Sequence, residues 1–281
     1  MGSYPTSPPP EILPPQGQYA PQPPRRRRGW ASAPATYLLL GINCAVFLLM
    51  VLSGSGIWMP TSDQIMHWGA DNAGSVLIDG EWLRIVTAMF VHVGIVHLAT
   101  NMWCLWNLGL LAEPLMGSWG LVAVYILTGA AGNLLSTCYN WVRPMHEAGN
   151  VVFPAGAGAS GAVFGIAGAL IILLKSKQLP IPQLELRRLR KSVIYFAAIN
   201  LVIGLTVGFG NGIGGVEIDN SAHIGGCLCG LLFAAPMVPR IGAPRSEFQT
   251  RLRLAIAAIV ILLVLFGFYV AHIPPPPGLN R

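Results

Sequence analysis

Seven long apolar segments, none containing an aspartate, glutamate, lysine or arginine, constrain this 281-residue chain more than any other feature. They lie at residues 37–52, 93–112, 119–139, 160–174, 193–209, 223–238 and 254–271. About 20 helical residues cross the hydrocarbon core of a bilayer, and a helix satisfies its own backbone groups there. The segments therefore predict an all-α fold: a polytopic bundle of seven membrane-spanning helices.

The composition excludes several other classes of protein. Only 10% of the residues are charged, against about 25% in soluble domains, and 53% are hydrophobic. Such a chain is neither a soluble enzyme nor mostly disordered, and it lacks the roughly ten-residue alternation of a membrane β-barrel. The five cysteines form no C-x-x-C pair, which favours small buried side chains over a zinc site or a disulfide framework.

The basic residues predict the orientation of the bundle. With the amino terminus placed in the cytoplasm, 14 of the 17 lysines and arginines fall on cytoplasmic segments, and only Arg84, Arg143 and Arg281 fall outside. Cytoplasmic loops are enriched in these residues. We therefore expect a multi-pass protein with an external carboxyl terminus. Its richness in arginine, alanine, glycine and proline suggests the plasma membrane of a bacterium with a GC-rich genome.

Changes in composition divide the chain into four parts. Residues 1–35 are too poor in apolar residues to fold and end near the cluster Arg25–Arg28. An apolar segment follows that cluster closely, so the cluster is interpreted as membrane-flanking charge and not as a nucleic-acid site. Residues 36–240 are the expected six-helix core, 241–273 a cytoplasmic linker and seventh helix, and 274–281 an external Pro-rich tail.

The connection at residues 53–92 is unusually apolar for a loop. It carries Trp58, Trp68 and Trp82 among other apolar residues. Tryptophan is favoured at membrane–water interfaces. We therefore expect this connection to lie along the outer surface of the membrane.

A serine among small residues opens the fourth apolar segment. In Gly158-Ala159-Ser160-Gly161 the glycines allow a sharp bend or the close approach of another chain. A helix N-terminus favours negative charge, which develops on the oxygen of an attacked carbonyl. Ser160 is thus either a nucleophile or a helix cap flanked by packing glycines.

His223 opens the sixth apolar segment. Small residues recur there and on the fourth segment at four-residue intervals: Ala222, Gly226 and Gly230 on one, Gly161, Gly165 and Ala169 on the other. Such stripes let membrane helices approach closely. If the two stripes face each other, Ser160 and His223 meet at one depth, as a hydroxyl nucleophile and its base. The alternative for His223 is an interfacial residue.

His97 and Asn101 lie four residues apart in the second segment, hence on one helical face. Their donors suit an oxyanion hole, although either side chain alone could form an interhelical hydrogen bond. Other chemistries lack their residues: H-E-x-x-H is absent, no aspartate lies in an apolar segment, and no nucleotide-binding glycine motif occurs. We expect no metal, no cofactor and no nucleic-acid partner.

Four motifs over residues 37–238, in chain order, resemble the rhomboid family of intramembrane serine proteases. They are Glu81-Trp82-Leu83-Arg84; His92, His97 and Asn101; Gly158-Ala159-Ser160-Gly161; and Ala222-His223 with Gly225, Gly226 and Gly230. The family's architecture is a six-helix core, and a seventh carboxyl-terminal helix also occurs in it. Phe164 departs from the family pattern, because many members carry tyrosine there beneath the histidine ring.

The resemblance implies a serine endopeptidase that cleaves single-pass or other transmembrane protein substrates near the outer membrane boundary. Ser160 would attack the peptide bond, His223 would transfer the proton without a third acid, and His97 and Asn101 would stabilise the oxyanion with the Ser160 N–H. The structural motif residues would be Trp82, Arg84, Gly158, Gly161, Gly226 and Gly230. The fifth span and the loop at 210–222 would move to admit substrate.

Two other classes remain as alternatives. One is an inactive relative that binds membrane clients, although such relatives usually lack the serine or the histidine. The other is a transporter or channel, which would carry charges within its spans or broken-helix repeats.

Overall fold

The computed structural model describes residues 32–176, 179, 181–208, 219–238 and 244–279, with the backbone alone at 203–208. Met1–Ser32 and Ala33–Arg281 form separate units, and every element below belongs to the second. Several sequence interpretations fall outside the described residues: most of the Pro-rich tail with Arg25–Arg28, the glycine-rich loop at 210–218, and the linker at 239–243.

The described residues form nine α-helices and one short hairpin. In chain order the helices are α1 (Pro34–Leu52), α2 (Ser62–His67), α3 (Ala73–Leu77), α4 (Arg84–Thr87), α5 (Ile95–Val142), α6 (Ser160–Leu173), α7 (Gln183–Gly208), α8 (Asn220–Ala234) and α9 (Arg245–Ala271). The hairpin pairs β1 (Met145–Glu147) with β2 (Asn150–Val152), and single 3₁₀ turns follow α4 and α8.

The molecule is a mostly helical membrane protein. Helices α1, α5 and α9 are each long and apolar enough to cross a membrane, and α6 is a shorter apolar helix of 14 residues. The hairpin departs from the all-α expectation. Its three-residue strands are too short to leave an alternating pattern in the sequence.

Helix α5 contains the second and third apolar segments as two helical halves. Gly117 separates them with φ 76° and ψ 165°, a conformation that glycine adopts readily, and Pro114 lies one turn earlier. Proline removes a helical hydrogen bond, so the helix is already weakened before the break. The predicted division between residues 112 and 119 is thus confirmed.

Two helices begin well before their apolar segments. Helix α7 starts at Gln183 and α9 at Arg245, where charged residues fill the first turns. In α9, Glu247 and Arg251 face each other across one turn with 3.8 Å between charged atoms. Long charged side chains can cover such turns while their heads stay in water, so an apolar segment marks only part of a helix.

A buried carboxylate fastens α1 to α5. Glu113 accepts hydrogen bonds from the backbone N–H of Ala35 (2.9 Å) and of Thr36 (2.9 Å). It also accepts from the hydroxyls of Thr36 (2.7 Å) and Ser118 (2.6 Å). The carboxylate therefore satisfies two amide groups at the start of α1 that have no partner within their own helix.

The connection between α1 and α5 is built around Arg84. Its guanidinium donates to the carbonyls of Met66 (2.7 Å) and Ala70 (2.9 Å) and pairs with Glu81 at 2.5 Å. Trp58 and Leu83, in contrast, are largely exposed. The arginine therefore stabilises the loop from inside, while apolar side chains cover its outer face.

The residues after α9 pack back against α5. The indole N–H of Trp141 donates to the carbonyls of Ile273 (3.3 Å) and Pro274 (3.1 Å). The Trp141 ring stacks on Phe153, with 5.4 Å between ring centroids. Phe153 belongs to the segment that leads from the hairpin into α6.

Candidate active site

Ser160 is the first residue of α6. The preceding Gly158 has φ +129°, and its N–H donates to the carbonyl of Ala88 at 2.9 Å. A methyl group at Gly158 would lie only 2.5 Å from Cε1 of His97. Glycine is therefore required by both backbone and space, and its absence of a side chain brings the His97 imidazole beside the turn that presents Ser160.

The two stripes of small residues face each other, as predicted. A methyl group on Gly226 would collide with the carbonyl oxygen of Gly161, and one on Gly230 would collide with that of Gly165. Gly161 in turn lies against the carbonyl of Ala222. Because Gly161 follows Ser160 and Ala222 precedes His223, the close approach of α6 and α8 brings the candidate nucleophile and base onto adjoining turns.

The imidazole of His223 is oriented by an aromatic ring. It stacks on Phe164, with 4.2 Å between centroids and 8° between planes. Phe164 lies four residues after Ser160, on the same face of α6. Within the described part of the chain, Nδ1 of His223 has no hydrogen-bond partner and no hydrogen bond joins His223 to Ser160. Such bonds commonly tighten only when substrate binds.

His97 and Asn101 occupy one face of α5, but their donors differ. The amide nitrogen of Asn101 donates to the carbonyl of His97 at 3.0 Å, so one of its N–H groups is used within its own helix. The His97 ring lies 5.3 Å from that of His92, centroid to centroid. Among the described residues, Nδ1 of His97 has no partner. The geometry places His97 at the Ser160 turn and Asn101 one helical turn further along.

Asp219 caps α8 and was not singled out from the sequence. Its carboxylate accepts from the N–H of Ala222 (3.0 Å) and from the hydroxyls of Ser221 (2.5 Å) and Ser136. Aspartate is a preferred N-cap residue, and its position just before the sixth apolar segment is the signal that would have found it.

Asp71, in the connection before α3, is a second carboxyl group near the site, and it is buried. Thr137 donates to both of its oxygens, at 3.0 and 2.9 Å. Burial is the main reason that the pKa of this carboxyl is raised to about 7; the hydrogen bond from Thr137 lowers the pKa, and the negative charge of Asp219 raises it. Asp71 and Thr137 lie 66 positions apart in the chain, so no local sequence pattern predicts their contact.

Trp82 and Arg84 contact other parts of the molecule. Arg84 stabilises the α1–α5 connection as described, while the Trp82 ring lies beside Gly267 of α9, 3.6 Å from the position of a methyl group there. Across the described ranges, no group of three or more His, Cys, Asp or Glu side chains could hold a metal ion.

Fold and site together define a helical membrane protein with a serine and a histidine on closely packed helices. A family model described as Rhomboid domain matches residues 79–240, more than half of the chain. The protein therefore belongs to the rhomboid family.

Named relatives agree with that membership. The chain is 32% identical over 240 residues to rhomboid protease GluP of Bacillus subtilis, covering 85% of this chain and 41% of GluP. It is 28% identical over 240 residues to rhomboid protease AarA of Providencia stuartii, covering 83% and 82%. It is 32% identical over 185 residues to RHOMBOID-like protein 6, mitochondrial, of Arabidopsis thaliana, covering 65% and 53%. The chain thus spans less than half of GluP and about half of the Arabidopsis protein.

Proposed function

We propose that this protein is an intramembrane serine endopeptidase that cleaves transmembrane protein substrates near the outer membrane boundary with a Ser160–His223 dyad. The observation that carries the proposal is the glycine-mediated contact of α6 and α8, which joins Gly161 to Ala222 and Gly226. A hydroxyl nucleophile needs a base within reach, and the position of His223 on the adjoining turn supports that role for it.

In the proposed reaction, Oγ of Ser160 attacks the carbonyl carbon of the scissile bond while His223 accepts its proton. His223 then returns the proton to the leaving amine, and water cleaves the acyl-enzyme by the same steps in reverse order. Among the described residues, no carboxylate forms a hydrogen bond with the histidine ring, and the Asp219 carboxylate bonds instead to the first turn of α8 and to Ser136. Stacking on Phe164 orients the ring instead.

The developing oxyanion would lie at the start of α6. The backbone N–H of Ser160 and the positive end of the helix dipole favour negative charge there. His97 would donate to the oxyanion, and the position of its ring against Gly158 supports this role. Asn101 would contribute its second amide proton, since the first bonds to the His97 carbonyl.

The proposed architecture is a six-helix core at residues 36–240, whose spans are α1, the two halves of α5, α6, α7 and α8. Helix α9 is the proposed seventh span. The amino terminus is proposed to be cytoplasmic, which puts Ser160 toward the outer face. A cysteine introduced at position 183 should then resist an impermeant thiol reagent in intact cells, and one at position 218 should react. The reverse labelling pattern would overturn the orientation.

The function is tested by Ser160→Ala and His223→Ala in purified protein. Each should abolish cleavage of a single-pass substrate that has small residues near its outer membrane boundary. A fluorophosphonate probe should label the unsubstituted protein and not Ser160→Ala. Cleavage that persists in Ser160→Ala would refute the serine mechanism, whereas an unsubstituted protein that binds substrate without cleavage or labelling would be an inactive client-binding relative.

A further inference from the structure

Two neighbouring hydroxyls of α5 bind two different carboxylates beside the candidate dyad. Ser136 donates to Asp219, and Thr137 donates to Asp71. Both hydroxyl-bearing residues are buried, with exposed fractions of 1% and 0%. Buried side-chain hydrogen bonds hold their partners more firmly than solvent-exposed ones, because breaking them leaves polar groups unsatisfied.

The contacts that run from Ser136 through Asp219, called the Ser136 arm below, lead to His223. One oxygen of Asp219 caps α8 by accepting from the N–H of Ala222 at 3.0 Å, while the other accepts from Ser136. The N–H of His223 donates to the Asp219 carbonyl at 3.2 Å. Asp219 therefore connects the turn that carries the histidine to α5. One of its oxygens caps α8, and the other binds Ser136 and so anchors the turn to α5.

The contacts that run from Thr137 through Asp71 and Gly156, called the Thr137 arm below, lead to Ser160. Asp71 pairs with Gly156 through two backbone hydrogen bonds, of 2.7 and 2.8 Å. The neighbouring Asn72 donates its side-chain amide to the carbonyl of Phe153 at 2.7 Å. The segment from Phe153 to Ser160 is thus fastened through the Asp71 region to α5.

The arms converge at Gly156. A methyl group there would lie 3.7 Å from a carboxylate oxygen of Asp219 and 3.7 Å from Cβ of Asp71. One short stretch of α5 therefore contacts, through adjacent residues, the supports of both members of the dyad.

We propose that Ser136 and Thr137 form a common anchor that sets the separation of Ser160 and His223: Ser136 positions His223 through Asp219, and Thr137 positions the Ser160 segment through Asp71. This inference rests on the proposed function. All four are positioning residues, since each acts through another group and none is proposed to touch substrate.

The Ser136 arm is tested with Ser136→Ala, Asp219→Ala, Asp219→Asn and the Ser136→Ala/Asp219→Ala double variant. Active protein is counted by the end-point of fluorophosphonate labelling, so that kcat refers to folded, labelled molecules. A displacement of about 1 Å can cost about 100-fold in rate. We expect Ser136→Ala and Asp219→Ala to lower kcat by about 10- to 100-fold with KM within about twofold of the unsubstituted protein.

The rest of the series separates anchoring from capping. Asp219→Asn should recover most of the kcat, because an amide can cap with its oxygen and donate to Ser136 with its nitrogen. The double variant should be no slower than the slower single variant, since both remove one contact. Thr61→Ala, which removes a comparable cap from α2, should lower the melting temperature and leave kcat per labelled molecule unchanged.

The Thr137 arm is tested with the near-isosteric Thr137→Val. It should also lower kcat per labelled molecule, and Ser136→Ala/Thr137→Val should be slower than either single variant, because the arms support different members of the dyad. The anchor is refuted if either Ser136→Ala or Thr137→Val keeps kcat within about twofold of the unsubstituted protein, or if both only reduce the labelled fraction, as Thr61→Ala does. Failure of the proposed function is distinct, because the unsubstituted protein would then neither cleave nor label.

Discussion

Replacement of Gly226 by alanine tests the close approach of α6 and α8 most directly. The added methyl group would lie 2.8 Å from the Gly161 carbonyl carbon and nearer still to its oxygen. Ordinary contacts of a methyl carbon with such atoms begin at about 3.4 Å, so the helices must separate locally by at least about 0.6 Å. The clash is with backbone, which cannot rotate away as a side chain would.

Two effects follow from that separation. Overpacking of a well-packed interior costs about 1–3 kcal/mol. Because the displaced backbone carries Ser160 on one side and His223 on the other, we also expect kcat to fall by about 10- to 100-fold, the effect of a misplacement approaching 1 Å. Thermal unfolding in detergent measures the first, and cleavage of a transmembrane substrate per probe-labelled molecule measures the second.

Gly41→Ala in α1 is the matched control. A methyl group there meets no atom within 4 Å, so the substitution tests the change in helix propensity alone. It should be neutral or stabilising by up to about 1 kcal/mol, with unchanged kcat. If Gly226→Ala had the same melting temperature and kcat as Gly41→Ala, the inferred close approach of the two stripes would be refuted.

Three further predictions concern polar side chains. Asn101→Ala should lower kcat by about 10²- to 10³-fold with little change in KM, and an effect confined to KM would place Asn101 in substrate binding instead. Glu113→Gln should destabilise the protein by about 1–3 kcal/mol, because an amide cannot accept all four hydrogen bonds. The kcat per labelled molecule should stay constant. Equal melting temperatures of the two proteins would contradict this prediction. Because burial raises the pKa of Asp71 from 3.8 to about 7, its stabilising contribution is complete below pH 4 and lost as pH rises through 7. Asp71→Asn should therefore gain stability relative to the unsubstituted protein between pH 5 and pH 8, by about 2–3 kcal/mol in unfolding free energy, and a constant difference would show that Asp71 does not titrate there.

The packing of α6 on α8 could be predicted because it depends on a local pattern. Glycines at four-residue intervals lie on one helical face whatever the rest of the chain does, so Gly161 and Gly165 had to form a groove. The same reasoning placed His97 and Asn101 on one face of α5. It could not show that Asn101 donates to the His97 carbonyl, because an asparagine within a helix can bond either to its own backbone or across the bundle.

The supports around the site could not be predicted, because they join distant parts of the chain. Asp71 bonds to Thr137 across 66 positions and pairs with Gly156 across a longer interval still. Residues in loops follow no helical or strand period, so their neighbours depend on the completed fold. For the same reason Glu113, at the edge of an apolar segment, left no sign that it would bond to the start of α1.

Buried polar atoms around the site differ in whether they have hydrogen-bond partners. Glu113 is buried and has four hydrogen bonds, whereas ring nitrogens of His92, His97 and His223 are buried without a partner among the described residues. An unsatisfied buried polar group costs about 1–3 kcal/mol, so a fold under selection for stability alone would pair these nitrogens. The histidines instead cluster at the turn that presents Ser160, where a free ring nitrogen can accept or donate a proton during a reaction. The hydrogen-bonded carboxyl groups of Asp71 and Asp219 lie beside Gly156, in the segment that leads into that turn, and they help to hold the segment in place.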